Sequence, residues 1–377
     1  MAIQTDAGTA QPGFPRLTRA DVLQCQFSAW YPDFRRLSPK ATVVRLPEDF
    51  RRWLESDGLI LPEGSGDIED DDSDSEAADA SDTRSNDQHT SSARRDLEEA
   101  DEDIEEVYSF PQVDTQLRAI IDKYDGLVFP KLNWSSPKDA AWILPGKPLA
   151  CSTPADIYLL LKSSDFIAHD LDYPFEHCFD EHDHASTPLP PPPPPLELVL
   201  KQWFEMPHSQ EFRCFVSYRK LQGICQRDHN HFDFLDDAAL QDEIKLKIAG
   251  FIEEQVLLRF PLAHFVCDVY LTRDRSRVFV VDLNPYGPQT DALLFSWEEL
   301  NRRAFASATA ALAPAQTNVE LRLVDSALSR SAAMPSYSMN RYPIEVVGLS
   351  EGKSIAEFAQ KFNSALQEAT DHTEAST

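Results

Sequence analysis

The stretch from Phe265 to Asn284 carries the residue types best suited to chemistry. Phe265 to Leu271 and Val278 to Asn284 are apolar, β-branched runs joined by the polar turn TRDRSR, which predicts an antiparallel hairpin. Side chains alternate faces along a strand, so Asp282 and Asn284 point one way while Val281 and Leu283 point into the core. Pairing Leu271 with Phe279 sets Asp268 opposite Asp282, two carboxylates within about 5 Å on one face with Asn284 beside them. Like charges in that position repel unless a cation lies between them, and oxygen-only ligands suit Mg²⁺. The plainer alternative is that Asp282 and Asn284 are turn formers closing the strand before Pro285. The register of Asp268 favours the metal.

A metal of this kind accompanies a nucleotide, which requires cations and a slot for a base. Lys131 lies inside the apolar strand Leu127 to Asn133, where it either snorkels outward or reaches into a cleft. Ser136-Pro137-Lys138-Asp139 opens a helix, either as an ordinary cap or as an anion site at free backbone N–H groups. Lys201-Gln202-Trp203-Phe204 ends another apolar strand; its backbone suits an adenine edge, as a hinge does, with Lys201 reaching the phosphates. Arg213 shares a strand face with Glu211, and Arg227 closes the next strand. Both arginines are placed to neutralise phosphate, although Arg213 with Glu211 also fits a surface cross-strand network.

The elements that must position these residues follow from pattern. Thr18 with Asp21 caps a helix, Ala41 to Leu46 is a strand, and Glu48 to Glu55 is a helix stopped by Gly58. Val113, Leu117, Ile120, Ile121 and Tyr124 mark one helix face, and Thr153 with Pro154 starts a helix that ends at Lys162. Leu198 to Phe204, Glu211 to Tyr218 and Leu221 to Gln226 read as strands. Leu240, Ile244, Ile248, Phe251, Ile252 and Val256 define a long amphipathic helix, and Ser296 with Glu299 caps another. Hairpins and helices come in separate runs, so the class is α+β.

At 377 residues the chain exceeds what one core usually serves, and two lobes are expected. Its net charge of −28 argues against nucleic acid or an anionic membrane surface as partner. Between Asp67 and Glu106 lie 18 acidic residues and three arginines, a net −15, which leaves an ordinary −13 for the rest. Such a segment repels itself and is expected to be a solvated, disordered insertion; the alternative is an acidic tract that meets a basic partner. Pro190 to Pro195 form a polyproline spacer or a ligand for an aromatic groove. His177, Cys178, His182 and His184 fit no ordered zinc template, and the six scattered cysteines read as reduced core thiols. Gly348 to Ser354 is one residue short of a phosphate-binding P-loop, so a helix cap is the better reading. Residues 1–17 are expected to be a disordered tail, with a core over 18–300 interrupted at 63–107 and 180–196. Residues 301–377 follow as a partly disordered C-terminal region with a helix near 353–368. The first residues have neither a basic nor an apolar region, so no secretory signal is expected and the chain reads as cytoplasmic.

Several long strings occur in a fixed order: VLQCQFSAWYPDFR (22–35), FPKLNWSSPKDAAWI (129–143), LLKSSDFI (160–167), EFRCFV (211–216), QRD (226–228) and VVDLNPYGPQTDALLFSWEEL (280–300). Together the chain resembles the cell division cycle protein 123 family of eukaryotes. The resemblance implies an ATP-grasp fold in which two α+β lobes sandwich Mg·ATP, and it implies an assembly chaperone for eukaryotic translation initiation factor 2. Binding to the gamma subunit would promote its joining with the alpha and beta subunits and so support translation initiation and the cell cycle. By the same resemblance, Lys131, Trp134, Ser136 and Lys138 belong to the nucleotide motif, Lys201, Gln202, Trp203 and Phe204 to the hinge, and Asp268, Asp282 and Asn284 to the metal. A monomer is expected. The rival reading is an ATP-grasp carboxylate–amine ligase with an unknown acceptor. No nucleophile or acid–base pair stands out near the cleft, which favours binding over turnover.

Overall fold

The computed structural model describes residues 13–66, 107–144, 147, 149–179, 192–309 and 319–325. In the first lobe, β1 (Ala41–Arg45), β2 (Val128–Lys131) and β3 (Glu197–Gln202) form an antiparallel sheet in the order β1-β3-β2. Helices α3 (Glu48–Glu55), α4 (Pro111–Lys123), α5 (Pro154–Lys162) and α6 (Asp165–Asp172) accompany it. Their apolar faces bury Phe50, Trp53, Leu117, Ile120, Tyr158 and Leu160 with Leu198 and Leu200 of β3 in one core. Helix α5 begins as its sequence predicts. Thr153 accepts the Asp156 N–H while the Asp156 carboxylate accepts the Thr153 N–H, so two otherwise orphaned donors are satisfied at once.

The second lobe is a five-stranded sheet in the order β7-β6-β4-β5-β8, formed by β4 (Glu211–Ser217), β5 (Lys220–Gln226), β6 (Phe265–Leu271), β7 (Val278–Pro285) and β8 (Leu321–Arg322). Strand β8 runs parallel to β5, so the sheet is mixed and not wholly antiparallel. One face packs on α7 (Ala238–Phe251), which continues through a π-helical turn at Ile252–Val256 into α8 (Leu257–Arg259). Strand alternation sends Phe212, Cys214, Cys267 and Val269 to that face, and it leaves Arg213 and Asp268 on the other. There Phe215, Cys225 and Val266 pack with Phe295 and Leu300, the latter on α9 (Trp297–Thr309). Gly223 sits so close to Phe295 that a Cβ would lie 2.7 Å from its ring, which explains the glycine in mid-strand.

Helices α1 (Arg19–Gln24) and α2 (Phe27–Phe34) precede both lobes. Phe27, Trp30, Tyr31 and Phe34 of α2 share a core with Val199 of β3 and with Val280 and Leu283 of β7, tying the two sheets together.

Two expected boundaries shift. Phe14 packs on Trp297 with ring centroids 5.3 Å apart, so the end of the expected N-terminal tail is seated on the fold. Helix α9 crosses position 300, and β8 completes the second sheet. An aromatic side chain in one case and an open strand edge in the other offer burial that local composition does not reveal. The acidic tract, the first two prolines of the run, His182, His184, the short P-loop-like segment and the expected terminal helix lie outside the described residues. All six cysteines are buried thiols outside any disulfide, as expected. Among the described residues, no helix is long and apolar enough to cross a membrane.

Candidate nucleotide and metal cleft

The hairpin β6–β7 opposes Asp268 and Asp282, by a route different from the one the pattern predicts. Leu271 pairs with Val278 and Val269 with Val280, one residue away from the expected register. A β-bulge then leaves Val281 without a partner and restores the pairing of Asp268 with Asp282, Cys267 with Leu283 and Val266 with Asn284. The expectation that Val281 faces the core is therefore corrected: Val280 and Leu283 are the buried pair. A bulge adds one residue and breaks the period of two, which sequence alternation cannot anticipate. It also turns the Val281 carbonyl out of the ladder, where it accepts the Lys201 Nζ–H at 2.9 Å.

Each carboxylate in the cleft is matched to cations. Asp268, 1% exposed, accepts Arg213 Nε at 2.7 Å and Arg213 Nη2 at 2.9 Å, and Arg227 Nε lies 3.1 Å from its Oδ2. Burial alone would raise its pKa, but the two guanidinium groups more than offset this and hold the carboxyl well below the usual range. Asp282 pairs at 2.5 Å with Lys131, which reaches across from β2 of the other lobe. Lys131 is 1% exposed, so it enters the cleft and does not snorkel; its Nζ also donates to the Trp134 carbonyl. Glu211 accepts Arg227 Nη1 at 2.8 Å. Against the upward push of burial, His208, Arg227 and Lys138 lower its pKa to about 2. Burial, with Arg227 nearby, drops Lys138 to about 7, and burial drops Lys201 to about 8. Lysines so placed lack the solvent that would stabilise their charge, and an added anion would restore it. The Arg213–Glu211 surface network is not what forms: both are buried and Arg213 binds Asp268.

The other expected site residues divide. Lys131, Lys201, Arg213, Arg227, Asp268 and Asp282 converge by direct contact, and Lys138 lies within Coulombic reach of Arg227, Glu211 and Asp268. Lys138 opens no true helix. Residues Lys138–Ala140 make a single 3₁₀ turn, and the Lys138 N–H already donates to the Ser136 carbonyl at 2.7 Å, so the helix-terminus anion site is corrected. Trp134 anchors the loop, its Nε1 donating to the Val22 carbonyl and its ring packing on Phe175. In the hinge, the N–H groups of Gln202 and Trp203 already donate to the Lys40 and Leu127 carbonyls, so both are taken up by the protein itself. The Gln202 amide bonds Asp125, and Lys147 lies over the Trp203 ring. Phe204 packs edge-on against Tyr270 of β6 at the mouth. Two open surface concavities lie away from the cleft, one of them bordered by α7, Arg303 and the start of β8.

Sequence reasoning missed the clasp that holds the Lys131–Lys138 loop. Asp170 on α6 accepts the Ser135 N–H at 2.6 Å and its hydroxyl at 2.9 Å, and burial raises its pKa to about 6 despite these bonds. From the loop side, Asp139 accepts the Ser164 hydroxyl and the Phe166 N–H at the start of α6. No local signal marks these acids, because their partners lie more than twenty positions away.

The donor set fits a hard divalent cation. Asn284 shares the cleft face with Asp282, and its Nδ2 is buried with no hydrogen-bond partner among the described residues. A half turn of that amide places its oxygen there instead, beside the Asp282 carboxylate. Two oxygen ligands completed by water and phosphate are what Mg²⁺ takes.

Two α+β lobes meeting at a cleft of paired cations and carboxylates define the class, a two-lobed α+β protein with a charged interlobe cleft. The chain belongs to the D123 family, whose model matches residues 30–350. It is 36% identical over 356 residues to a translation initiation factor eIF2 assembly protein of Schizosaccharomyces pombe, covering 94% of this chain and 99% of the relative. A protein of the same name from Aspergillus niger is 37% identical, with coverage of 94% and 90%. The solved structure of Cdc123 from Schizosaccharomyces pombe superposes with a TM-score of 0.61 at 34% identity, covering 83% of this chain and all of that one.

Proposed function

We propose that this chain binds Mg·ATP between its lobes and serves as an assembly chaperone for translation initiation factor eIF2 in the cytoplasm. It acts by binding the gamma subunit and promoting its joining with alpha and beta, and so supports translation initiation and the cell cycle. The observation that carries the nucleotide half is the convergence of Lys131, Lys138, Lys201, Arg213 and Arg227 on a face bearing Asp268 and Asp282. The assembly half is supported by the relatives named eIF2 assembly protein, matched over most of their length.

In this reading, Lys131, Lys138, Lys201, Arg213 and Arg227 hold the phosphates, with Trp134 and Ser136 shaping the loop of the first two. The base lies along Gln202, Trp203 and Phe204. Asp282 and Asn284 would hold the metal. Asp268, opposite Asp282, would complete the oxygen set for the metal. The metal supplies charge neutralisation between the triphosphate and the carboxylates. The chain's own contribution is preorganisation: Asp139 and Asp170 fix the lysine loop, and the bulge at Val281 fixes Lys201. The test is calorimetry of the full chain with Mg·ATP, followed by capture of purified gamma subunit with and without nucleotide. Binding of both supports the reading. Failure to bind Mg·ATP removes the nucleotide half, and failure to capture gamma removes the other.

A further inference from the structure

Each carboxylate of the cleft is already paired with one of the chain's own cations before any ligand enters. Asp282 is occupied by Lys131, Asp268 by Arg213 and Arg227, and Glu211 by Arg227. Five cations (Lys131, Lys138, Lys201, Arg213 and Arg227) face three carboxylates there. A bare dication therefore meets a field of its own sign, whereas a metal–nucleotide chelate with excess negative charge is attracted.

The contact that decides the order of events is Lys131–Asp282. Lys131 is fully buried on β2, and Asp282 lies on β7 of the other lobe. A metal ion that took the Asp282 carboxylate alone would leave the Lys131 ammonium out of water without a contacting carboxylate among the described residues, held by the Trp134 carbonyl and the more distant Asp170, and breaking a buried pair in this way is strongly destabilising. If a triphosphate arrives with the metal, the exchange balances. Asp282 passes from ammonium to metal while Lys131 passes from carboxylate to phosphate, so no charge is left unpaired.

Resting on the nucleotide reading of the cleft, we infer that Lys131 is a gate on the metal site: it excludes free divalent metal and admits it only as the nucleotide chelate. Metal and nucleotide thus bind as one unit, and the ion pair joining the lobes in the free chain is replaced by a ligand joining them.

The experiment measures Mn²⁺ binding to the full chain by electron paramagnetic resonance, with and without a non-hydrolysable ATP analogue. Wild type is expected to bind Mn²⁺ at least about 100-fold more tightly when the analogue is present. Lys131→Met and Lys131→Gln, the second retaining a donor for the Trp134 carbonyl, are expected to bind Mn²⁺ alone at least about 10-fold better than wild type. Adding Asp282→Asn to either variant abolishes the gain and so locates the ion. Equal Mn²⁺ affinity of wild type with and without the analogue overturns the inference, and that arm stands even if both lysine variants fail to fold. Folded lysine variants that bind Mn²⁺ no better than wild type overturn it too. If wild type does not bind the chelate at all, the nucleotide reading itself falls; if it does and the lysine variants gain nothing, only the gate falls.

Discussion

Replacing Asp268 by Asn separates a carboxylate that holds the lobe together from one that only awaits a ligand. The change keeps shape and removes charge. Asp268 is buried, and its two oxygens serve Arg213, itself buried, and Arg227. Without it, among the described residues, Arg213 keeps the Asp291 carbonyl and Arg227 keeps Glu211. Breaking a buried pair by removing one partner costs about 3–5 kcal/mol, because a charge is left uncompensated. For a folded unit of this size that is a fall in Tm of about 6–20 °C. The pH dependence carries the same sign. The folded pKa of Asp268 is depressed, so its contribution is complete above the unfolded value of about 3.9 and disappears as pH falls through the folded value. Asp268→Asn should therefore remove part of the acid dependence of stability between roughly pH 4 and the acid limit. The assay is thermal unfolding by circular dichroism from pH 3 to 8, with Asp268→Asn/Arg213→Gln as the second variant. Removing both partners should restore at least half of the lost Tm, since no bare guanidinium is then left at Arg213. A loss under about 1 kcal/mol in the single variant, or no recovery in the double, would show that the network contributes little and refute the reasoning.

Asp282→Ala should weaken Mg·ATP binding by about 2 kcal/mol and make what remains insensitive to EDTA, as read by calorimetry; an unchanged affinity removes Asp282 from the metal site. Lys138, lowered to about 7 by burial and Arg227 and faced by Glu211, Asp268, Arg213 and His208, should gain a proton when phosphate arrives. Calorimetry in buffers of different ionisation enthalpy should then show proton uptake at pH 8 and little at pH 6, with affinity falling as pH rises above 7; Lys138→Arg should flatten the profile. Deleting 67–106 should shift Tm by no more than about 3 °C, because Glu63 and Ser109 already bridge the two ends and Arg118 holds the Gly64 and Gly66 carbonyls. Capture of the gamma subunit by that variant should survive, and its loss would assign the acidic tract a working role.

The order of elements was legible because local signals agreed with the tertiary outcome. The Thr153–Asp156 capping box, the Phe265–Leu271 run and the periodic face of α4 each specify their element from within a few residues. The pairing of Asp268 with Asp282 was legible too, yet its expected register was one residue off near the turn. The bulge at Val281 repaired it, and a bulge has no signature in alternation alone.

By itself, the sequence determined which residues could meet a phosphate or a divalent cation: acids and an amide two apart on a strand, and lysines inside apolar strands where solvent is scarce. Only the tertiary structure decided whom they meet. Lys131 finds Asp282 across 151 positions, Lys201 finds the Val281 carbonyl across 80, and Asp170 finds Ser135 across 35. Those partnerships arise where two sheets with separate local codes close against α2, and long-range electrostatic matching of that kind leaves no periodicity in the chain.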